Sequence, residues 1–188
     1  MSKTKSQSST NAITSLKADH QKVKGLFDEF EKTNDPTTKM TIVSEALEEL
    51  SLHATLEEEL FYPAVREEID DEEDGLMNEA DEEHHVAKIL IAELGEMDGT
   101  ESHYDAKFTV LAENVRHHIK EEEESMLPKA QKTDIDFDAL GEEMRGRKEE
   151  LMSEGMPETG EADMVAKSEG RGDSSAEAAK VTAAHKTV

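Results

Sequence analysis

The sequence predicts an all-α protein, an up-down antiparallel four-helix bundle that carries a short fifth helix. Three observations favour this fold class. Apolar residues recur every three or four positions along four long stretches, as in helices that bury one face. Aromatic residues make up only 4% of the chain and charged residues 36%, a composition that suits helices better than strands. The connections between the four stretches are short, so we expect consecutive helices to run antiparallel.

The first two helices are predicted at about 11–33 and 36–69. Between them, Asn34-Asp35-Pro36 ends the first helix, and Pro36 suits the first position of the second. Their apolar stripes contain Ile13, Leu16, Val23, Leu26, Phe27 and Phe30, then Ile42, Val43, Leu47, Leu50, Leu56, Leu60 and Phe61.

The next two helices are predicted at about 76–97 and 103–131. Residues 70–75 form a break or an acidic turn, a composition that favours a helix start. Asp98-Gly99-Thr100 is a turn, and Ser102 is expected to cap the fourth helix. The third helix has its apolar stripe at Leu76, Ile89, Leu90, Ile91, Leu94 and Met97.

The ends of the chain differ from its middle. Residues 1–10 are polar and predicted to be disordered, and the bundle domain is assigned to 11–152. A fifth amphipathic stretch at about 136–152 is expected to pack along the bundle. Residues 153–188 lack Leu, Ile and aromatic side chains, so we expect a disordered tail.

Charge and composition exclude several classes of function. With a net charge of -25, the chain would be repelled by phosphate backbones and anionic lipids, which predicts neither a nucleic-acid nor a membrane partner. The absence of cysteine excludes disulfides and thiolate sites. A metal would need histidine and carboxylate ligands, which suit iron, manganese or zinc. We expect a soluble cytoplasmic protein, monomeric or weakly homo-oligomeric.

The two halves of the chain share a pattern that predicts a duplicated helical hairpin. A single His-x-x-x-Glu is weak evidence in a chain with 46 acidic residues, but its repetition with a matching proline is specific. Upstream, His20 and His84 are each followed by apolar residues at +3, +6, +7 and +10. In each half a histidine is followed by glutamates at +4, +5 and +6 and a proline at +10: His53, Glu57, Glu58, Glu59 and Pro63, then His118, Glu122, Glu123, Glu124 and Pro128.

This pattern brings metal-ligating side chains to one level of the bundle. Residues i and i+4 share a helix face, so each His-x-x-x-Glu pair presents an imidazole and a carboxylate together. At ~1.5 Å per residue, the first-helix histidines lie within about one turn of that level. A carboxylate from each half can then bridge two metal ions. The converging residues are His20, His53, Glu57, His84, His118 and Glu122.

The same residues also have interpretations that require no metal. The two His-x-x-x-Glu pairs could belong to solvated helix faces, and His20 and His84 could be hydrogen-bonded core histidines. The glutamate runs 57–59 and 121–124 could attract cations, accept histidine N–H groups or be solvated charge. Tyr62 is interpreted as a core or capping aromatic residue.

The remaining histidines are not assigned as ligands. His85 and His117 adjoin proposed ligands and point about 100° away from them, toward the surface or the periphery of the site. The pair His117-x-x-x-Glu121 is an alternative register, disfavoured because Pro128 then misaligns with Pro63. The remaining two, His103 and His185, are expected to be exposed.

Four segments resemble the hemerythrin-like HHE cation-binding family: ADHQKVKGLF, LSLHATLEEELFYPAV, EEHHVAKILIAEL and VRHHIKEEEESMLP. The likeness covers about residues 11–151. It implies a four-helix bundle with two non-haem iron ions, oxo- or hydroxo-bridged, with manganese or zinc less expected. At the matching positions it implies as metal ligands His20, His53, Glu57, His84, His118 and Glu122.

The third helix departs from the family pattern. Oxygen-carrying members have a second histidine one turn from the first, but the positions four from His84 are Ala80 and Lys88. The resemblance therefore implies a site one histidine short. This disfavours reversible O₂ storage and leaves an open coordination position, as a reactive metal site needs.

Three classes of function remain open. The first is a di-iron protein that binds or senses O₂ or a related small oxidant, peroxide or nitric oxide. The second is a di-iron enzyme that acts on peroxide or Fe(II). The third is a metal-free or zinc-stabilised interaction bundle, whose melting temperature, if it is metal-free, would not change on chelation.

Overall fold

Four long antiparallel helical segments form the body of the protein, and a further helix packs against them. The structure is a computed structural model that describes residues 11–69 and 75–155. These described residues contain no β-strand, and the all-α class is confirmed. The helices are α1 (Ala12–Lys32), α2 (Pro36–Leu56), α3 (Tyr62–Glu68), α4 (Leu76–Glu96), α5 (Tyr104–Glu121), α6 (Leu127–Ala130) and α7 (Phe137–Glu154).

Two π-helical turns make α2 continuous with α3 and α5 continuous with α6. They span Glu57–Phe61 and Glu122–Met126. In each, the residue before a proline donates its N–H to the carbonyl five residues earlier. Pro63 and Pro128 lack an N–H, and their rings clash with a regular α-helical turn, which the wider π turn relieves. The turns occupy equivalent places in the two halves, which agrees with the predicted duplication.

The first two helices begin where the sequence predicts. Asn11 Oδ1 accepts the backbone N–H of Thr14, and Asp35 Oδ2 accepts that of Thr38 at 2.8 Å. Pro36 occupies the first turn of α2, where the missing N–H costs no hydrogen bond.

The start of α5 differs from the prediction. His103, and not Ser102, precedes the first helical residue, and no side chain caps this end. The predicted cap at Ser102 is therefore wrong, because the loop continues for one more residue before the helix begins. The turn before it is confirmed, since Asp98 Oδ1 accepts the N–H of Thr100 at 2.8 Å. Most of the predicted break at 70–75 lies outside the described residues.

The four segments close into a ring in which α1 contacts α2, α2 contacts α4, α4 contacts α5, and α5 contacts α1. Two apolar clusters fill the interior. One contains Leu16, Leu56 and Phe61, and the other contains Phe27 and Phe108. The residues between the clusters along each helix are polar, so a polar layer crosses the middle of the bundle.

Helix α7 packs against α1, α2 and the first π turn. Leu140, Met144 and Leu151 are buried there, which confirms the fifth helix as part of the packed domain. Arg147 also makes two hydrogen bonds to Glu59. The helix extends to Glu154, past the expected end at 152. The predicted disorder of 1–10, and of the tail from 156 onward, lies outside the described residues.

Two methionines on α7 test this packing. Met144 is 2% exposed and Met152 is 67% exposed. We expect Met144→Ala to lower the free energy of unfolding by about 2–5 kcal/mol, because it leaves a cavity under α7. Met152→Ala should change it by no more than about 0.5 kcal/mol. Urea unfolding measures both, and equal effects would contradict the docking of α7 on the bundle.

Candidate metal centre

The polar layer between the two apolar clusters consists of the six residues singled out from the sequence. None of them is more than 6% exposed, and Glu57 and Glu122 are essentially fully buried. Burial of so many ionisable groups is rare without compensation by partners or a metal. The layer contains His20 from α1, His53 and Glu57 from the α2–α3 helix, His84 from α4, and His118 and Glu122 from the α5–α6 helix.

The structure brings these side chains into two overlapping sets. The first donor group comprises His20, His53, Glu57 and Glu122, and the second comprises Glu57, His84 and His118. Within each group, one ligand atom per residue lies within 4.8 Å of all the others. Glu57 belongs to both groups and stands between them.

The histidine rings all present Nε2 to the interior of the layer. The Nε2 atoms of His20 and His53 are 3.2 Å apart, and those of His84 and His118 are 3.1 Å apart. Imidazole nitrogens that converge in this way can share a proton or a cation. The inward atom of each ring is therefore the candidate ligand atom.

The Nδ1 edges of the rings face a second layer of carboxylates. Glu123 lies 3.0 Å from His20, Glu58 3.0 Å from His84, and Glu83 2.8 Å from His118, each measured from a carboxylate oxygen to Nδ1. Asp19 stands 3.9 Å from His53 Nδ1, too far for a hydrogen bond. An Nδ1–H donated outward leaves Nε2 free to bind a metal, as is usual for metal-ligating histidines.

These outer carboxylates follow the duplication of the chain. Glu58 and Glu123 each come directly after the inner glutamate of their half, and Asp19 and Glu83 each come directly before the first histidine. The sequence signal is thus a repeated acidic-His pair upstream and His-x-x-x-Glu-Glu downstream. Among the interpretations of the glutamate runs, a hydrogen-bonded partner for a histidine is found at Glu58, which contacts His84, and at Glu123, which contacts His20. Glu59 instead pairs with Arg147 of α7.

Buried acceptors without partners indicate that the donor set fits cations. Both carboxylate oxygens of Glu57 and the Oε2 atom of Glu122 have no hydrogen-bond partner. Glu57 Oε2 lies 3.1 Å from His53 Nε2, and Glu122 Oε2 lies 3.2 Å from His20 Nε2, without hydrogen-bond geometry. Buried polar atoms left in this way are costly, and metal coordination would satisfy them. Nitrogen and oxygen donors of this kind suit borderline divalent metals.

Charge compensation shifts the pKa values of these groups. Burial opposes the charged form of His53, but Glu57 and Asp19 outweigh it and raise the pKa of His53 to about 10. Burial opposes the charged form of His84 as well, and Glu57 and Glu58 raise its pKa to about 9. Burial also opposes ionisation of Glu57, but His53 and His84 hold its pKa well below the usual range. A metal ion that binds here must therefore displace protons.

Tyr62 is the site residue that sequence reasoning missed. Its hydroxyl donates to Glu122 Oε1 at 3.0 Å and lies 3.2 Å from His84 Nε2. Burial, together with the nearby Glu57 and Glu122 carboxylates, raises the pKa of Tyr62 well above its ordinary value. The phenol therefore keeps its proton inside the layer. In the sequence, Tyr62 follows Phe61 within an apolar stripe, and this position resembles that of an ordinary core residue.

The other described histidines lie outside the layer, as predicted. His103 is exposed. His117 is 60% exposed and lies near Glu83 and Glu121 at the edge of the site. The alternative pair, His117 and Glu121, therefore points outward.

A buried layer of imidazoles and carboxylates inside four antiparallel helices defines a class, the helical-bundle proteins with a His/carboxylate metal centre. The chain belongs to the hemerythrin HHE cation-binding domain family, whose model matches residues 11–130. Within the described ranges 11–69 and 75–155, no helix is long and apolar enough to cross a membrane.

The known proteins that are similar to this chain include a solved structure and a curated relative. A crystal structure of a hemerythrin HHE cation-binding domain-containing protein from Mycobacterium kansasii matches with a TM-score of 0.63 and 27% identity, covering 77% of this chain and 88% of that one. A DNA nickase from Nostoc sp. is 28% identical over 111 residues, which are 59% of this chain and 31% of the nickase. This chain thus spans about a third of the length of that curated relative.

The Tyr62 hydrogen bond can be tested in chelated protein. We expect Tyr62→Phe to lower the free energy of unfolding by about 1–3 kcal/mol, because Glu122 loses its buried donor. Tyr104→Phe, in the other apolar cluster, is the matched control and should have the smaller effect. Chemical denaturation measures both variants. Equal losses would show that the Tyr62 hydroxyl does not stabilise Glu122.

Proposed function

We propose that this chain is a non-haem di-iron protein that binds or senses O₂ or a related small oxidant, peroxide or nitric oxide. The proposal rests mainly on one observation, the two donor groups that share Glu57 in a fully buried layer. Two overlapping groups predict two ions, and a shared carboxylate predicts that the ions are close enough to act together.

The donor set supports iron among the candidate metals. It contains four imidazoles and two carboxylates, and the chain has no cysteine. Iron accepts this mixture, whereas manganese and zinc share only part of the preference. When bound, a pair of irons would supply the electrons that reactions with small oxidants require.

Unequal donor groups support an exchangeable position on one side. The first group has four residues and the second has three, because neither of the positions four from His84, Ala80 and Lys88, supplies a second histidine. Tyr62 lies beside the three-residue group, and its hydroxyl is 3.5 Å from His118 Nε2. Its hydroxyl keeps its proton because burial and the nearby carboxylates raise its pKa, and it can turn from Glu122 to donate a hydrogen bond to a small polar molecule bound beside His84.

A small cavity adjoins the histidines and limits the size of what can bind. Its volume is about 30 Å³. Apolar residues line much of it together with the four imidazoles, including Val23, Leu50, Val115 and Ile119. This space holds about two water-sized molecules, which suits O₂, nitric oxide or peroxide and excludes organic substrates.

A peroxide- or Fe(II)-consuming enzyme is the second candidate, favoured by the exchangeable position and by the Tyr62 proton. Sustained turnover, rather than a single stoichiometric reaction, would distinguish it from a binding or sensing protein. The nickase does not extend this proposal to DNA. The shared segment is a minor part of that protein, and the net charge of -25 still predicts no binding to a phosphate backbone.

Iron loading tests the proposed function. Anaerobic addition of Fe(II) followed by air should give about two irons per chain and the near-ultraviolet absorption of a coupled di-iron pair. His84→Ala should reduce the content to about one iron, because the second donor group is left with two residues. His103→Ala, at an exposed position, should load as the wild type does.

Metal analysis and absorption spectra provide the readout. Clearly fewer than two irons in the wild type, or equal loading of the two histidine variants, would contradict the proposal. Equal thermal stability before and after chelation would instead support the metal-free interaction bundle.

A further inference from the structure

A lysine stands behind the carboxylate that holds His20. Glu123 Oε1 lies 3.0 Å from His20 Nδ1, and Lys24 Nζ lies 3.1 Å from the same oxygen. Lys24 follows His20 by four residues, so both side chains project from one face of α1. Glu123 comes from the opposite hairpin and closes the connection between them.

The second half of the chain repeats this arrangement. Glu58 Oε1 lies 3.0 Å from His84 Nδ1, while Glu58 Oε2 accepts a hydrogen bond from Lys88 Nζ. Lys88 again follows its histidine by four residues on α4. The carboxylate again comes from the opposite hairpin, one residue after the inner glutamate. Two independent occurrences at equivalent positions indicate a feature of the centre and not a chance surface contact.

The two lysines differ from ordinary surface ion pairs. Lys24 and Lys88 are 30% and 21% exposed, and each shares its carboxylate with a buried histidine. Lys22, on the same helix as Lys24, is 45% exposed and pairs only with carboxylates of α2. Lys107 pairs with Glu93, away from the polar layer.

We propose that Lys24 and Lys88 are positioning residues of the metal centre, each holding the carboxylate that directs one histidine toward its donor group. This inference rests on the proposed function, since the groups directed are its metal ligands. It also assigns a role to Lys88, one of the two positions four from His84 that carry no second histidine.

The lysines are needed because the carboxylates of Glu58 and Glu123 are partly exposed and can rotate. Glu58 is 32% exposed and Glu123 is 28% exposed, so each could turn to water if its lysine were absent. The partner of Nδ1 sets both the tautomer and the orientation of an imidazole. Loss of such outer partners typically lowers metal affinity 10–100-fold. We expect about tenfold for a lysine one step further from the metal.

The duplication makes the effect specific to one ion. Lys24 acts on His20 in the first donor group, and Lys88 acts on His84 in the second. Lys88→Met should therefore weaken the binding of the same ion whose binding His84→Ala abolishes. Lys24→Met should weaken the binding of the other ion, whose binding His20→Ala abolishes.

Titration with Co²⁺ provides the test, because the visible absorption of Co²⁺ reports its coordination. In the whole chain, Lys88→Met should weaken one of two binding steps about tenfold and alter its spectrum. Lys88→Arg should restore both, since arginine keeps the charge and the donor. Lys107→Met and Lys22→Met are the matched controls and should titrate as the wild type does.

A second readout follows the imidazole directly. In protein loaded with diamagnetic Zn²⁺, the His84 Nδ1–H resonance should be protected from exchange in the wild type and in Lys88→Arg. It should be lost or broadened in Lys88→Met. A wild type that binds no Co²⁺ would overturn the proposed function and this inference together. Two normal steps in the wild type, with Lys88→Met identical to Lys107→Met in both readouts, would overturn the inference alone.

Discussion

The rest of the structure depends on one constraint, the burial of Glu57 and Glu122 in the middle of an apolar bundle. An ionised carboxylate taken out of water costs several kcal/mol unless charges of opposite sign accompany it. Four imidazoles surround this pair, and the pKa of His53 and His84 is raised accordingly. Carboxylates outside the imidazoles hold the Nδ1 edges, and lysines hold two of those carboxylates. Charge therefore alternates outward from the centre, and each layer compensates the one inside it.

This alternation is built from a duplicated hairpin, and that origin explains both its symmetry and its exceptions. Each half supplies one histidine on its first helix, one His-x-x-x-Glu-Glu on its second, and one π turn before a proline. The symmetry ends where the halves acquire different neighbours. Helix α7 packs mainly against the first hairpin, and its Lys148 pairs with Asp19 at 3.0 Å. The equivalent Glu83 instead faces the exposed His117. The two donor groups are thus chemically unequal, which favours two different roles for two ions.

The sequence predicts those parts of the molecule that depend on short-range periodicity. The helices and the six core residues follow from apolar spacing and from the i, i+4 relation of His53 to Glu57 and of His118 to Glu122. What could not be predicted depends on contacts between distant segments. The Tyr62 hydroxyl reaches the site because of how the α2–α3 helix is rotated against α4 and the α5–α6 helix, which no local pattern reports. The choice of Glu58 over Glu59 as a histidine partner depends on the same rotation. The cap at Ser102 failed because loop geometry, rather than residue preference, determines where α5 begins.

The buried layer is proposed to hold two metal ions, one in each of the two donor groups that share Glu57. Anomalous diffraction at the iron absorption edge, from crystals of the iron-loaded chain, tests it most directly. Two peaks are expected inside the bundle, one among His20, His53, Glu57 and Glu122 and the other among Glu57, His84 and His118. No peak in the layer, or peaks confined to surface carboxylates such as Glu121, would contradict it.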